Sequence, residues 1–417
     1  MEESAVKESD TIGFKEAVAL AVEKAVKKSE KEIVLISNAL GRVLADDIKA
    51  TKNLPSFDNS AMDGFAFRYE ERGRTLRIAK RIFAGEVPDA TLQKEECYKI
   101  MTGAQLPSDV DTVVPVEQCR NITQENVFIP EDIKKGSNFR QKGEEVCKGD
   151  ILIRSGTILE SSHIALLSSQ GIMAIEAVVK PKIVIVATGN EIKEPWEEAN
   201  EDEIYNANAF GLRALLESYG FDADYAGAIG DDFESTVAFI ERLKAYDVII
   251  TTGGISKGDA DFIYKAFLHH GLETFFQGVK VKPGHPVTMG MMNHTFVMGM
   301  PGNPLATLLT THAIAIPVLY RIAGSKLCYH SVTYAKMSQD LNVRSGRVNM
   351  VIGKTENGIF TPIRNNKIGS GMITPLCESN AVVFLAESLD KIEKDTWIKT
   401  VNYFDRRRSL ENNTIHS

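Results

Sequence analysis

The chain has 417 residues, of which 43% are hydrophobic and 25% charged, and its formal net charge is -8 at pH 7. That length predicts several domains, each able to bury a core, at roughly 100–200 residues apiece. The acidic balance argues against a nucleic-acid binder, which needs clustered Lys and Arg to neutralise phosphates.

Five cysteines (Cys97, Cys119, Cys147, Cys328 and Cys377) are scattered and never form C-x-x-C, which excludes a disulfide framework and a zinc ribbon. The first ten residues are charged and lack the apolar run of a signal peptide. The most apolar stretch, 295–320, is interrupted by Pro301, Gly302, Asn303, Pro304 and Pro317, so no membrane span is predicted. A soluble, cytoplasmic protein is expected.

In chain order, 11–28 has Phe14, Val18, Val22 and Val26 at helical spacing and predicts an amphipathic helix. A short strand follows at 33–36. Residues 53–67 mix turn chemistry (Pro55, Asp58, Asn59, Ser60, Gly64) with the apolar anchors Phe57, Met62 and Phe65, the mark of a loop held in one shape. From 75 to 129 the pattern is short strands and turns, with Thr102-Gly103 in one of the turns.

Residues 181–324 alternate strand and helix as in a doubly wound parallel sheet. A strand at 183–187 runs into Thr188-Gly-Asn-Glu191. A helix carrying Leu212, Leu215 and Leu216 ends at Gly220, and Asp231-Asp232 opens the next helix, where either aspartate suits an N-cap. The β-branched run Val248 to Thr251 has no alternation, as expected of a central strand covered on both faces. It leads into Thr251-Thr-Gly-Gly254, Ser256, Asp259 and Asp261, a glycine turn able to aim backbone N–H groups at a ligand just past a strand's carboxyl end. A hairpin turns at Asn293-His294, and Pro304 opens a long helix ending near Gly324. His269 and His270 read as surface residues at a helix end rather than ligands. Residues 326–405 read as a separate β-rich module with a polar turn at 368–372. P-loop and dinucleotide fingerprints are lacking.

Taken together, Pro55-Ser-Phe-Asp-Asn-Ser-Ala-Met-Asp-Gly64, Met101-Thr-Gly-Ala104, Ala187-Thr-Gly-Asn-Glu191, Asn206-Ala-Asn208, Thr251-Thr-Gly-Gly-Ile-Ser256, Lys282-Pro-Gly284 and Met300-Pro-Gly-Asn-Pro304 resemble the molybdopterin molybdenumtransferase family, the MoeA-type enzymes and the last domain of gephyrin. The resemblance implies an α/β multidomain fold: an elongated four-domain subunit with a doubly wound domain of the molybdopterin-binding type and β-rich accessory domains. The corresponding division is a linking domain (31–52 and 140–176), a small β-rich loop domain (53–139), the α/β domain (10–30 and 177–325) and a C-terminal β-barrel-like domain (326–405).

It also implies the reaction, insertion of molybdate into adenylylated molybdopterin with release of AMP, helped by Mg²⁺. The partners implied are a second copy of the chain in a homodimer that shares its active sites, a molybdopterin adenylyltransferase and cofactor-accepting enzymes. Carried onto this sequence, the catalytic residues are Asp63, Thr102, Glu191, Asp231 and Asp261, with Asp63 and Thr102 reaching across from the other subunit. The Mg²⁺ donors are Glu191, Asp231, Asp232, Asp259 and Asp261, hard oxygens suited to an ion that keeps several waters. The cofactor side falls to Thr251, Thr252, Gly253, Gly254 and Ser256, and the oxyanion side to Lys282, His285, Pro301, Pro304, Arg347 and Ser370. His285 departs from the family, which usually has a second lysine there, and an imidazole helps a dianion by charge only when protonated. Two other readings compete: adenylylation of molybdopterin, for which a lone α/β domain suffices, and a gephyrin-like scaffold, for which an appended domain or long linker is expected.

Overall fold

The computed structural model describes residues 11–87, 89, 91–230, 232–253 and 262–402. Helix α1 (Phe14–Lys24) is shorter than its sequence pattern. Its buried face is Ala17, Val18 and Ala21, continued by Ala25, whereas Val26 is 72% exposed. Of the residues that the spacing singled out, Phe14, Val18 and Val22 pack on the core, and only Val26, beyond the helix end, does not. The alanines between them let the helix approach its neighbours closely. Strand β1 (Lys31–Leu35) pairs antiparallel with β7 (Ala174–Val178), and with α2 (Ser161–Ser169) they enclose a small core around Val34, Leu44, Leu159 and Leu167.

Between these segments the chain forms a five-stranded sheet of β2 (Gly64–Phe67), β3 (Thr75–Ile82), β4 (Glu96–Ile100), β5 (Thr112–Pro115) and β6 (Asn126–Phe128) in the order β5-β2-β4-β3-β6. Its two faces carry separate apolar cores, one around Tyr98 and Ile100, the other around Phe65, Phe67 and Val127. The chain crosses into and out of this unit side by side, tied by Leu54 N–H to the Val146 carbonyl and Gly149 N–H to the Ala50 carbonyl.

The α/β unit contains β8 (Ile183–Thr188), α3 (Ala207–Ser218), β9 (Ala223–Ile229), α4 (Phe233–Leu243), β10 (Val248–Thr252), α5 (Phe262–His269), β11 (Leu272–Gln277), β12 (Val279–Lys282), β13 (Thr288–Met292) and β14 (Thr295–Met300). Its sheet runs β9-β8-β10-β14-β13-β11, parallel across the first four strands and antiparallel beyond. Alternate residues go to opposite faces. Ile183, Ile185, Val248 and Ile250 pack with α1 and α3, while Val184, Val186 and Ile249 pack with α4 and α5. Burying each such side chain is worth roughly 1.5–3 kcal/mol, so the unalternating β10 is a sheet centre covered on both sides. His270 lies between α4 and α5 rather than on the surface, its ring bonded to the Val237 carbonyl at 2.9 Å.

The helix that Pro304 opens runs through Pro317 and ends near Gly324, as the sequence indicates. After α6 (Pro304–Thr310), a π-helical turn at Thr311–Ala315 leads directly into α7 (Ile316–Ile322). The wider turn precedes the proline, whose ring would otherwise clash with the backbone of the preceding turn. The 19 residues Pro304–Ile322 are long and apolar enough to cross a membrane, yet 83% of the most apolar window is buried inside the protein. This is a core helix.

The C-terminal module has an apolar core of its own, around Met337, Val351, Phe360 and Leu385, and is also joined to the α/β unit. Strands β15 (Thr333–Met337), β16 (Val348–Glu356), β17 (Ile359–Pro362), β18 (Ala381–Leu385) and β19 (Trp397–Asn402) close on themselves, because β16 pairs with both β17 and β18. This small barrel is fused to the α/β unit: β12 pairs in parallel with β16, Val281 opposite Val348 and Lys282 opposite Asn349. Val348, Met350, Ile352 and Val382 belong to the same apolar core as α1 and α7.

The π turn buries His312, whose ring stacks on His330 with centroids 4.1 Å apart and whose Nδ1 lies 2.8 Å from the Tyr219 hydroxyl. Burial, and secondarily the neighbouring His330, holds the His312 pKa well below 6.5. The folded protein therefore keeps this imidazole neutral while the unfolded chain takes up a proton as pH falls through ~6.5. Stability from this group is intact above that pH and is lost progressively on acidification toward the depressed folded-state pKa. The urea midpoint should drop more between about pH 7.5 and 5.5 in the wild-type protein than in His312→Gln.

Candidate functional site at the sheet end and the barrel junction

The parallel strands β8, β10 and β14 end together, at Thr188, Thr252 and Met300. Thr251 and Thr252 are 0% and 1% exposed, and neither hydroxyl has a partner among the described residues. The Thr188 hydroxyl donates to the Thr252 carbonyl at 2.9 Å, and Gly253 N–H donates to the Met300 carbonyl at 3.0 Å. Gly253 has φ 82°, and a Cβ there would lie 2.9 Å from the Thr188 Oγ1. Only glycine lets the turn close this tightly.

Asn206 caps α3, its Oδ1 accepting from Ala209 N–H at 3.1 Å, and it donates to the Tyr225 hydroxyl at 2.7 Å. Asn208 donates to the Gly302 carbonyl at 2.7 Å, and its own Oδ1 is buried without a partner. Thr251 and Thr252 point to opposite faces of the sheet, and Asn208 on α3 lies on the Thr252 side. Residues 254–261, which continue the turn, lie outside the described residues.

Glu191 follows β8 and is exposed, with its carboxylate folded back over Gly189. Asp232 follows the adjacent β9 and caps α4, accepting from Ser235 N–H at 2.8 Å. That bond, with the Ser235 side chain second, holds its carboxyl below the usual aspartate range. The sequence's N-cap alternative is thus realised, with one oxygen engaged. Asp231, Gly254, Ser256, Asp259 and Asp261 lie outside the described residues. Among the described residues, no three His, Cys, Asp or Glu side chains cluster closely enough to hold a metal ion.

Beyond Gly302 opens a cleft of 740 Å³ between the α/β unit and the barrel. It brings together Lys282, His285, Pro301, Arg347 and Ser370 from the sequence-derived set; Pro304 lies just behind its wall, at the first position of α6. The Lys282-Pro-Gly turn fits against α6 because position 284 is glycine. With φ 106°, a Cβ there would lie 2.2 Å from Thr310 Cγ2. Asn303 donates to the Ser370 hydroxyl at 2.9 Å, and Leu305 N–H to the Ser370 carbonyl at 3.1 Å, joining the barrel's polar turn to the start of α6. His285 is held by its turn: its Nδ1 lies 2.8 Å from the Val279 carbonyl. Among the described residues no carboxylate lines the cleft, in a chain whose net charge is -8. Arg344, Asn303 and Asn349 also line it, and the sequence reading assigned a role to none of them.

Asp63 and Thr102 sit elsewhere, on the five-stranded unit. Asp63 Oδ1 accepts from Thr102 N–H at 2.7 Å and from its hydroxyl at 2.8 Å, and both residues are exposed. These two bonds, backbone first, hold the Asp63 carboxyl below the usual aspartate range. The structure therefore builds two sites, a strand-end turn opening onto a cationic cleft and a distant Asp–Thr pair.

Residues 12–171 match the MoeA N-terminal region (domain I and II), and 184–321 match the probable molybdopterin binding domain. A molybdopterin molybdenumtransferase of Staphylococcus epidermidis is 30% identical over 385 residues, covering 88% of this chain and 91% of the relative. The chain belongs to the molybdopterin molybdenumtransferase family. A relative from Haemophilus influenzae is 33% identical over 301 residues, 72% of this chain and 74% of its own. The crystal structure of the molybdopterin biosynthesis moeA protein from Pyrococcus horikoshii superimposes with a TM-score of 0.82 at 26% identity, covering 94% of this chain and 100% of that one. The family's N-terminal region thus carries the Asp63–Thr102 pair, while its probable molybdopterin binding domain carries the strand-end turn and one wall of the cleft.

Thr102→Val removes the hydroxyl bond to Asp63 and keeps the backbone one. A carbon-detected NMR titration should show the Asp63 carboxyl titrating at higher pH than in wild type, still below an unrestrained aspartate.

Proposed function

We propose that the chain is the molybdopterin molybdenumtransferase of its host's molybdenum cofactor pathway, inserting molybdate into adenylylated molybdopterin with release of AMP. The observation that carries this reading is the cleft: Lys282, Arg344 and Arg347, with no carboxylate among the described lining residues, form a site for an oxyanion in an acidic protein. It adjoins the strand-end turn, where the side-chain oxygens of Thr251, Thr252 and Asn208 are buried.

In this arrangement the Thr251–Gly253 turn and Asn208 hold the pterin and phosphate end, and the cleft orients the tetrahedral dianion toward the dithiolene. Lys282 and Arg347 offset its charge and Ser370 offers a hydroxyl. Glu191 and Asp232 stand at the ends of neighbouring strands, and hard oxygen donors of this kind suit Mg²⁺ with several waters retained. Further aspartates of the sequence-derived set lie outside the described residues. When bound, that ion would neutralise the phosphoanhydride oxygens and ease departure of AMP.

Asp63 and Thr102 complete the site of a second copy in a homodimer. The support is their exposure and their place on a unit other than the one that builds the cleft. The five cysteines are free, as suits a cytoplasmic enzyme. Adenylylation of molybdopterin is the weaker reading, because the barrel supplies Arg344, Arg347 and Ser370 to the cleft and a lone α/β domain would lack them.

Asp63→Asn and Lys282→Ala should each abolish most AMP release from adenylylated molybdopterin while the protein melts normally. Mixing the two inactive proteins and allowing subunit exchange should restore up to about a quarter of wild-type activity, since half the dimers then carry one intact site. No recovery after exchange shown by mass spectrometry would sink the shared site. An enzyme that consumes ATP with unadenylylated molybdopterin would overturn the assigned reaction.

His285→Lys tests the departure from the family. If the imidazole serves the dianion by its charge, the molybdate concentration for half-maximal rate rises with pH in wild type and stays flatter in the variant. The bond to Val279 favours the other outcome, parallel profiles, with His285 shaping the turn.

A further inference from the structure

We propose that Arg344 is an oxyanion-binding cation of the cleft, and that Asn349 is the positioning residue that holds Arg344 and Arg347 beside Lys282. The inference rests on the reading of the cleft as the molybdate site and extends it to two residues outside the sequence-derived set.

Asn349 occupies the junction of the two units. On one side it is the register partner of Lys282, where β16 pairs with β12; on the other it pairs with Leu385 of β18. Its side chain is 6% exposed, and Nδ2 donates to the Arg344 carbonyl at 2.9 Å and to the Arg347 carbonyl at 3.1 Å. One amide therefore folds the 344–347 loop against the strand that carries it. Two further bonds hold the outer side of the loop, Val343 N–H to the Asp390 carbonyl at 2.8 Å and Gly346 N–H to the Glu387 carbonyl at 2.7 Å. A buried amide with both donors on neighbouring carbonyls is costly to remove, because those acceptors and the loop geometry depend on it.

Both arginines line the cleft and are exposed, and among the described residues neither they nor Lys282 form an ion pair. Three uncompensated cations on one anchored loop-and-strand unit keep their charge for a ligand. His285, by contrast, is tied by Nδ1 to Val279. Arginine offers a planar fork of donors that reaches two oxygens of a tetrahedral dianion at once. Arg344 thus supplies a permanent charge to the cleft that His285 also lines.

The test uses the full-length enzyme and AMP release as a function of molybdate, with inhibition by sulfate, another tetrahedral dianion, as a second readout. For Arg344→Ala the half-saturating molybdate concentration should rise on the order of tenfold, more than the maximal rate falls, and Arg344→Lys should recover part of the loss. Asn349→Ala should weaken both molybdate use and sulfate inhibition at least as much, since it releases both arginines. If Arg347→Ala and Lys282→Ala weaken molybdate use while Arg344→Ala and Asn349→Ala do not, this inference is wrong and the cleft reading stands. If none of the four changes the molybdate dependence, the cleft is not the oxyanion site and both readings fall. Should Asn349→Ala not fold, the exposed Arg344 still decides, because its truncation leaves the barrel core untouched.

Discussion

A short parallel pairing, Val281 with Val348 and Lys282 with Asn349, is the join on which the cleft depends. Two register pairs would not hold two units together by hydrogen bonds alone, since each bond is worth only about 1 kcal/mol net. The apolar core closes the join: Val281, Val348, Met350 and Ile352 are buried with α1 and α7 in one continuous cluster. The pairing sets the register, and burial makes it permanent. Lys282 then projects beside the barrel loop that carries Arg344 and Arg347.

The electrostatic logic follows from that geometry. Like charges brought together repel, so three cations in one cleft cost stability unless water or a ligand screens them. Here the cleft is open and its cations are exposed, which keeps that cost low, and its polar walls are asparagines and a serine rather than carboxylates. Among the described residues the recess is lined by cations and neutral side chains alone, which gives it a positive sign within an acidic protein. At the strand-end turn, the Thr251 and Thr252 hydroxyls and the Asn208 side-chain oxygen are buried.

The fused barrel also explains the unbroken apolar helix. A helix of that length and composition could serve in a membrane, but α1, the sheet and the barrel cover it, leaving its polar interruptions to local solutions. Thr307 bonds the Asn303 carbonyl at 2.9 Å, and the π turn accommodates the approach to Pro317. The same turn buries His312 against His330, an acid-sensitive spot in the core.

Much of the architecture was legible in the residues themselves. The period-free β-branched run at 248–251 marked β10 as covered on both faces, Gly220 and Pro304 marked helix ends, and the ordered motifs marked the family. Local chemistry decides such features, so they survive any arrangement of the units. The resemblance to the family also named five of the cleft's lining residues, Lys282, His285, Pro301, Arg347 and Ser370, though they lie up to 88 positions apart. What it could not supply was the edge-to-edge fusion of barrel and sheet, because strand pairing between distant segments leaves no periodic trace. For the same reason the sequence reading assigned no role to Arg344 or Asn349. In α1 the helical spacing picked out Phe14, Val18 and Val22, which pack on the core, and overran the helix only at Val26. Residue types and spacing determined the folds of the parts and the chemistry available to them. Only tertiary pairing decided that Lys282 and Asn349 stand side by side, and so which cations share one recess.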